Sequence, residues 1–141
     1  TLMHIRLAKL STPPRLGDLS PLAIRLVMAT RIRVSAERQG RPWLAILTAR
    51  LGSHEEALHA AHLVEVIGGA WPERFALSPP CCPSLSPDEA LLGALTEATE
   101  EGDRPGFDRE SRDLLDSEAR DQLWRELHML SHGHSISARG D

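Results

Sequence analysis

The segment spanning residues 22–34 most constrains the fold, because its apolar residues point in nearly every direction around a helix. Ser20 and Pro21 precede it and form a helix start, with serine as the N-cap and proline at the first helical position. Gly40 is a typical helix stop. We therefore predict a helix over residues 21–38. A helix that is apolar almost all round belongs at the centre of a bundle.

Further start and stop signals divide the rest of the chain into helices. Pro42 and Gly52 bound a second helix. A capping-box pattern at residues 53–56 opens a third, which is predicted to reach Ile67. Serine, proline and two acids at residues 86–89 form the most complete start signal, for a fourth helix. A last helix over residues 108–131 carries a leucine stripe on one face.

The predicted fold class is all-α, a compact bundle of about five helices. Hydrophobic residues make up 41% of the 141 residues and aromatic residues only 4%, so the core must be built mainly from leucine and alanine, which favour helices. One helical domain is predicted over residues 1–132, with an N-terminal arm at 1–19 and a linker at 101–106. Residues 133–141 are predicted to be a disordered tail.

A short two-stranded ribbon is a further expectation. Apolar and other residues alternate with a period of two at residues 3–7 and again at residues 74–78. An isolated pair of strands is marginal unless it packs against something else. The ribbon is therefore predicted as an addition to the bundle and not as its basis.

The sequence also bears on location. Arginines interrupt even the most hydrophobic segment, so no run approaches the roughly 18 apolar residues of a membrane helix. The first residues do not have the pattern of a secretion signal. We therefore expect a cytoplasmic protein that does not insert into a membrane.

Charge is distributed unevenly along the chain. Residues 1–50 hold nine basic and two acidic side chains, a balance of +7, whereas residues 51–141 have a balance of −11. Such asymmetry indicates either an interaction surface or two halves that neutralise each other, and we favour the second interpretation. Nucleic-acid binding is disfavoured, because the helix after the turn at Gly52 is acidic where a DNA-reading helix presents basic or amide groups. The basic candidates for an interaction surface are Arg31, Arg33, Arg38, Arg41 and Arg50.

Cys81 and Cys82 invite a chemical interpretation. Their Cα atoms lie about 3.8 Å apart, below the range of about 4.4–6.8 Å in disulfides, so a bond between them is strained. The alternatives are a soft ligand pair for zinc or another thiophilic metal, a redox-sensitive thiol, or two small apolar side chains that fill a hole in the core. His59 and His62, three residues apart on one helix, are candidates to complete a metal site. We favour the core-filling interpretation and expect no cofactor.

One resemblance rests on this region. The run over residues 22–95, with Cys-Cys-Pro at 81–83 followed by Ser-Pro-Asp-Glu-Ala-Leu-Leu at 86–92, resembles a family of short uncharacterised alphaproteobacterial proteins rich in alanine and leucine helices. Ser84 and Leu85 stand where that family tends to have a basic residue and a methionine. The family has no assigned activity. The resemblance implies only that the cysteine segment and the helix cap after it belong together.

No nucleophile with a base, glycine-rich phosphate loop or paired-carboxylate pocket stands at a usable spacing. The leading hypothesis is therefore a non-enzymatic interaction or regulatory module that binds another protein, with the formation of a homo-oligomer left open. The alternatives are a metal or thiol sensor at the cysteines and a nucleic-acid-binding regulator that uses the basic half. On the last helix, the candidate interaction residues are Leu123, Trp124 and Leu127.

Overall fold

The computed structural model describes residues 14–140, and it describes side chains for residues 14–132. Within these residues the chain forms a short 3-10 turn and six α-helices. The all-α prediction is confirmed. The turn is Leu16–Asp18, and the helices are α1 (Pro21–Arg38), α2 (Trp43–Leu51), α3 (His54–Ala70), α4 (Pro87–Glu100), α5 (Arg104–Ser111) and α6 (Ser117–Gly140).

The predicted starts of α1 and α4 are borne out by side-chain caps. Ser20 Oγ accepts a hydrogen bond from the Ala23 N–H at 3.2 Å and begins α1. At α4 both halves of the capping box are present, because Ser86 Oγ accepts from the Glu89 N–H while the Glu89 carboxylate accepts from the Ser86 N–H. These local bonds satisfy donors that the first turn of a helix leaves without partners.

Helix α1 lies at the centre of the bundle and contacts α2, α3 and α4. It runs antiparallel to α4, since Ser20 at its start bonds to Glu97 near the end of α4, while Arg31 in its second half bonds to Glu89 near the start of α4. Two apolar clusters result. The larger joins α1 and α3 to α4, α5 and α6, and the smaller, built largely of alanine, joins α1 to α2 and α3.

The predicted ribbon is not found. Residues 74–78 form no strand, and residues 3–7 lie outside the described part of the chain. The first turn of α4 explains the difference, because its side chains occupy the backbone groups that a strand would use. Asp88 accepts from the Ala76 N–H at 2.7 Å, and Ser86 Oγ donates to the Ala76 carbonyl at 2.6 Å.

The last third of the chain also differs from the prediction. A helix, α5, begins inside the predicted linker at 101–106, where Asp103 caps it and Pro105 stands within its first turn. The predicted helix over residues 108–131 is thus two helices, α5 and α6, separated at residues 112–116. Phe107 anchors α5 because its ring is fully buried in the larger core. Helix α6 continues to Gly140, past its predicted end.

Candidate functional site at the cysteine loop

A buried ion pair between α1 and α4 forms the centre of the candidate site. Arg31 Nε donates to Glu89 Oε2 at 2.7 Å and Arg31 Nη2 donates to Glu89 Oε1 at 2.9 Å. Both side chains are 0% exposed. Two parallel bonds of this kind fix the orientation of both groups as well as their distance.

The same two side chains hold the segment that contains the cysteines, here called the cysteine loop (residues 78–84). Arg31 donates to the carbonyls of Cys82 and Ser84 at 2.8 and 3.0 Å. Glu89 accepts from the Ser78 N–H at 3.3 Å. The pair thus satisfies backbone groups at both ends of the loop, which would otherwise be costly to bury.

The electrostatic environment keeps both partners charged. The hydrogen bond to Glu89 raises the pKa of Arg31, although burial opposes this. Burial raises the pKa of the Glu89 carboxyl, but hydrogen bonds from Arg31 and the Ser86 N–H outweigh it and hold that pKa below its ordinary value of 4.5. The centre is therefore an ionised pair near neutral pH, with little net charge to offer a ligand.

Further backbone bonds fix the outer side of the loop. The Leu16 N–H donates to the Pro83 carbonyl at 2.8 Å, and the Leu85 N–H donates to the Pro14 carbonyl at 2.9 Å. The Cys82 N–H donates to the Pro79 carbonyl at 3.0 Å and closes a four-residue turn. The cysteine loop is thus held on both sides.

The turn presents its two thiols differently. Cys81 is exposed, Cys82 is half-buried, and neither forms a disulfide. The interpretation that both side chains fill a hole in the core is therefore wrong for Cys81. Cys81 is the third of the four residues of this turn.

A groove runs between the cysteine loop and the second half of α1, and we call it the loop groove. Its volume is about 310 Å³, at the lower end of the range of about 300–1,000 Å³ for small-molecule sites. Its lining includes two arginines and no acidic side chain. The lining residues are Arg31, Val34, Ser35, Arg38, Gln39, Leu77, Ser78, Pro79 and Pro80.

The four candidate metal ligands are not brought together. His59 and His62 are exposed on α3 and line a separate groove of about 230 Å³ between α3 and α6. In that groove His62 Nε2 lies 3.4 Å from Glu126 Oε1. Cys82, by contrast, is bound to Arg31 of α1. Among the residues that the structure describes, no cluster of three or more His, Cys, Asp or Glu side chains is arranged to hold a metal ion.

The predicted basic surface divides into two kinds of arginine. Arg31 is buried, and Arg33 bonds to Glu37 and Glu65 while its guanidinium lies 4.3 Å from the centre of the Trp43 ring. These two are used within the fold. The remaining candidates, Arg38, Arg41 and Arg50, are exposed.

The candidate interaction residues of α6 belong to the core. Leu123 and Leu127 are buried in the larger apolar cluster. Trp124 is half-buried and packs edge-on against Phe107, with ring centres 5.3 Å apart. Their leucine stripe packs against the rest of the bundle. The exposed large apolar residues in the described part of the chain are instead Leu58 and Met129.

The partnership of Arg31 and Glu89 was not predicted from the sequence. A signal was present, since Arg31 stands in a helix that is apolar almost all round and therefore cannot keep every charged side chain in water. Glu89 was assigned only the local role of a capping residue. No local pattern connects two residues that are 58 positions apart.

Comparisons of the chain with family models, with curated proteins and with solved structures give no match. In the described part of the chain, the helices are too short or too polar to cross a membrane.

Proposed function

We propose that this chain is a non-enzymatic protein-interaction module, and that its loop groove binds an extended acidic segment of another protein. The observation that supports this proposal is the combination of a preformed recess with a lining that has basic but no acidic side chains.

Both walls of the groove are held in place. One wall is the regular helix α1, and the other includes Ser78 and Pro79 of the cysteine loop. Arg31 joins the two walls because it extends from α1 to the carbonyls of the loop. A recess that is already formed loses little conformational freedom when a ligand binds, which favours affinity.

The charge of the groove comes from Arg38. Arg31 is neutralised by Glu89 and its side chain is fully buried, so it holds the walls together but adds little attraction for a ligand. Arg38 is exposed at the last turn of α1 and lines the groove. Its planar guanidinium is suited to bidentate bonds with a carboxylate. Pro79 and Pro80 add apolar surface beside it, which favours an extended peptide over a small ion.

Fluorescence anisotropy with labelled eight-residue peptides of acidic, neutral and basic composition tests this proposal. We expect the acidic peptide to bind best, and R38E to weaken it by about tenfold or more, since a lost charge contact at a binding site is worth about 1.4 kcal/mol or more. R50E is the matched control, because Arg50 is an exposed arginine outside the lining of the groove. Equal losses in R38E and R50E, or no preference for the acidic peptide, would overturn the proposal.

A further inference from the structure

A row of four rings leads from the core of the bundle to the exposed end of α6. Phe107 is fully buried, and Trp124 packs edge-on against it with ring centres 5.3 Å apart. The centre of the half-buried His128 ring lies 5.9 Å from that of Trp124. The exposed His132 ring follows at 3.9 Å from His128, with the two imidazole planes tilted by 33°. The row thus ends in two imidazoles that are in direct contact.

The two histidines have the spacing of a helical metal-binding pair. They stand four residues apart, so both project from one face of α6 on successive turns. Two histidines with this spacing on one helical face are an established arrangement for zinc. Within residues 14–132, no hydrogen bond or ion pair involves a ring nitrogen of His128 or His132. A neutral imidazole has one nitrogen with a free lone pair, so two nitrogen donors are available here.

The ring positions suit a single ion. An ion that bonds to one nitrogen of each ring at about 2.0–2.1 Å, in a tetrahedral arrangement, needs the two nitrogens about 3 Å apart. Rings with centres 3.9 Å apart can reach that separation by side-chain rotation alone. Trp124 gives His128 a fixed neighbour, so less freedom is lost on binding. The exposed Arg125 one turn earlier opposes a cation, but water screens its charge.

We propose that His128 and His132 form a surface site for a divalent late transition-metal ion, with water molecules completing the coordination. Imidazole nitrogen suits Zn²⁺, Ni²⁺ and Cu²⁺, whereas Mg²⁺ prefers oxygen ligands. The site uses two protein ligands, and it is separate from the loop groove, so it does not rest on the proposed function. An ion that binds only the folded chain also stabilises it, here by linking two turns of α6.

Isothermal titration calorimetry with Ni²⁺ tests the site, because thiols reduce Cu²⁺ but not Ni²⁺. We expect H128Q and H132Q each to weaken Ni²⁺ binding about tenfold or more, since each removes one of two ligands. His132 is exposed, so H132Q should fold normally. H62Q is the matched control, because His62 is an exposed histidine on another helix. Unchanged affinity in H132Q, or an equal loss in H62Q, would overturn the proposal.

The two thiols need a control of their own. C81S/C82S should bind Ni²⁺ as tightly as the wild type does, because the proposed site does not include either sulfur. A loss of binding in C81S/C82S as large as that in H132Q would assign the ion to the cysteine loop and overturn the proposal.

Fluorescence locates the bound ion by a second route. Ni²⁺ quenches a nearby indole, and the His128 ring lies 5.9 Å from that of Trp124. We expect Ni²⁺ to quench the wild type, and W124F to keep binding Ni²⁺ in calorimetry but to lose most of the quenching. Undiminished quenching in W124F would place the ion near another tryptophan and overturn the assignment to α6.

Discussion

Two arginines each organise a cluster of ion pairs in this protein, at opposite levels of exposure. Arg31 bonds to Glu89 and to the cysteine loop with its side chain fully buried. Arg104 bonds to Asp108 and Asp121 at the junction of α5 and α6, and its side chain remains 35% exposed. The number of acidic partners is greater at Arg104. The destabilisation caused by removing one partner depends instead on access to water, because no solvent can replace the missing partner in the buried cluster.

The two clusters also differ in the groups that surround each arginine. The Arg104 guanidinium lies 5.4 Å from the centre of the Trp124 ring and 5.8 Å from that of Phe107, so apolar contact supplements its ion pairs. Arg31 is instead bound to carbonyl groups that belong to a loop. Removal of Arg104 should therefore loosen one junction, whereas removal of Arg31 should release a whole segment.

The largest effect is expected from R31M, which leaves Glu89 and two loop carbonyls buried without their partner. Loss of one member of a buried pair costs about 3–5 kcal/mol, which urea denaturation would measure. The double variant R31M/E89L should recover only part of this loss, because it removes the unpaired carboxylate but leaves the carbonyls of Cys82 and Ser84 and the N–H groups of Ser78 and Ser86 without these partners. In R31M we also expect thiol-labelling reagents to react faster with Cys82, since its carbonyl is no longer held.

R25M is the control for R31M. Arg25 of α1 pairs with Glu56 of α3 at 3.0 Å, and its side chain is 42% exposed. Exposed pairs contribute about 0.2–1 kcal/mol. A loss in R25M as large as that in R31M would show that burial is not what distinguishes the two arginines.

The next largest effect is expected in the pH dependence of stability that Glu89 produces. The pKa of Glu89 is lower in the folded chain than its ordinary value of 4.5, so the folded state binds fewer protons than the unfolded state in this range. The stability that Glu89 contributes is complete above about pH 4.5 and is lost as pH falls through the lower folded pKa. We expect E89Q to be less stable than the wild type at pH 7, and the difference to shrink below pH 4.5.

Urea midpoints measured between pH 3 and pH 7 would test this prediction. A difference between the wild type and E89Q that does not change with pH would show that the ionised form of Glu89 has no special role. D108N offers a comparison within the exposed cluster, since Asp108 pairs with Arg104 at 3.0 Å but remains partly in water. Its effect should be smaller at every pH.

The smallest effect is expected from R104A, about 1 kcal/mol or less, as is usual for half-exposed ion pairs. High salt should reduce it further, because at 1 M salt the screening length falls to about 3 Å. The loss in R31M should change little with salt. Urea denaturation with and without salt would measure both losses. Equal salt dependence of the losses in R104A and R31M would contradict the contrast between the exposed and the buried cluster.

The sequence predicts those parts of the fold that local chemistry determines. Ser20 and Ser86 mark their helices because a cap uses neighbouring backbone groups only. Helix α5 lies where Gly102 and Pro105 suggest a linker, although Asp103 two positions before a proline is itself a start signal. Residues 74–78 have a strand-like pattern, but α4 side chains take their backbone groups. Tertiary contacts thus outweighed a weak local preference.

The candidate site was harder to predict for the same reason. The cysteines were recognised as a feature, but whether a thiol is exposed depends on contacts between distant segments. Arg31 and Cys82, for example, are 51 residues apart. The stripe of Leu123 and Leu127 was found correctly, yet periodicity shows only that a helix has an apolar face. It does not say whether that face covers the core or a partner.

The prolines of the cysteine loop reduce the conformational entropy that this segment loses on folding. Pro79, Pro80 and Pro83 fix three φ angles among five consecutive residues. Their segment therefore samples fewer conformations even in the unfolded chain, and less entropy is lost when it settles into place. The most rigid covalent stretch of the chain thus lies where the fold presents an exposed thiol, and the orientation of that thiol is partly determined before any tertiary contact forms.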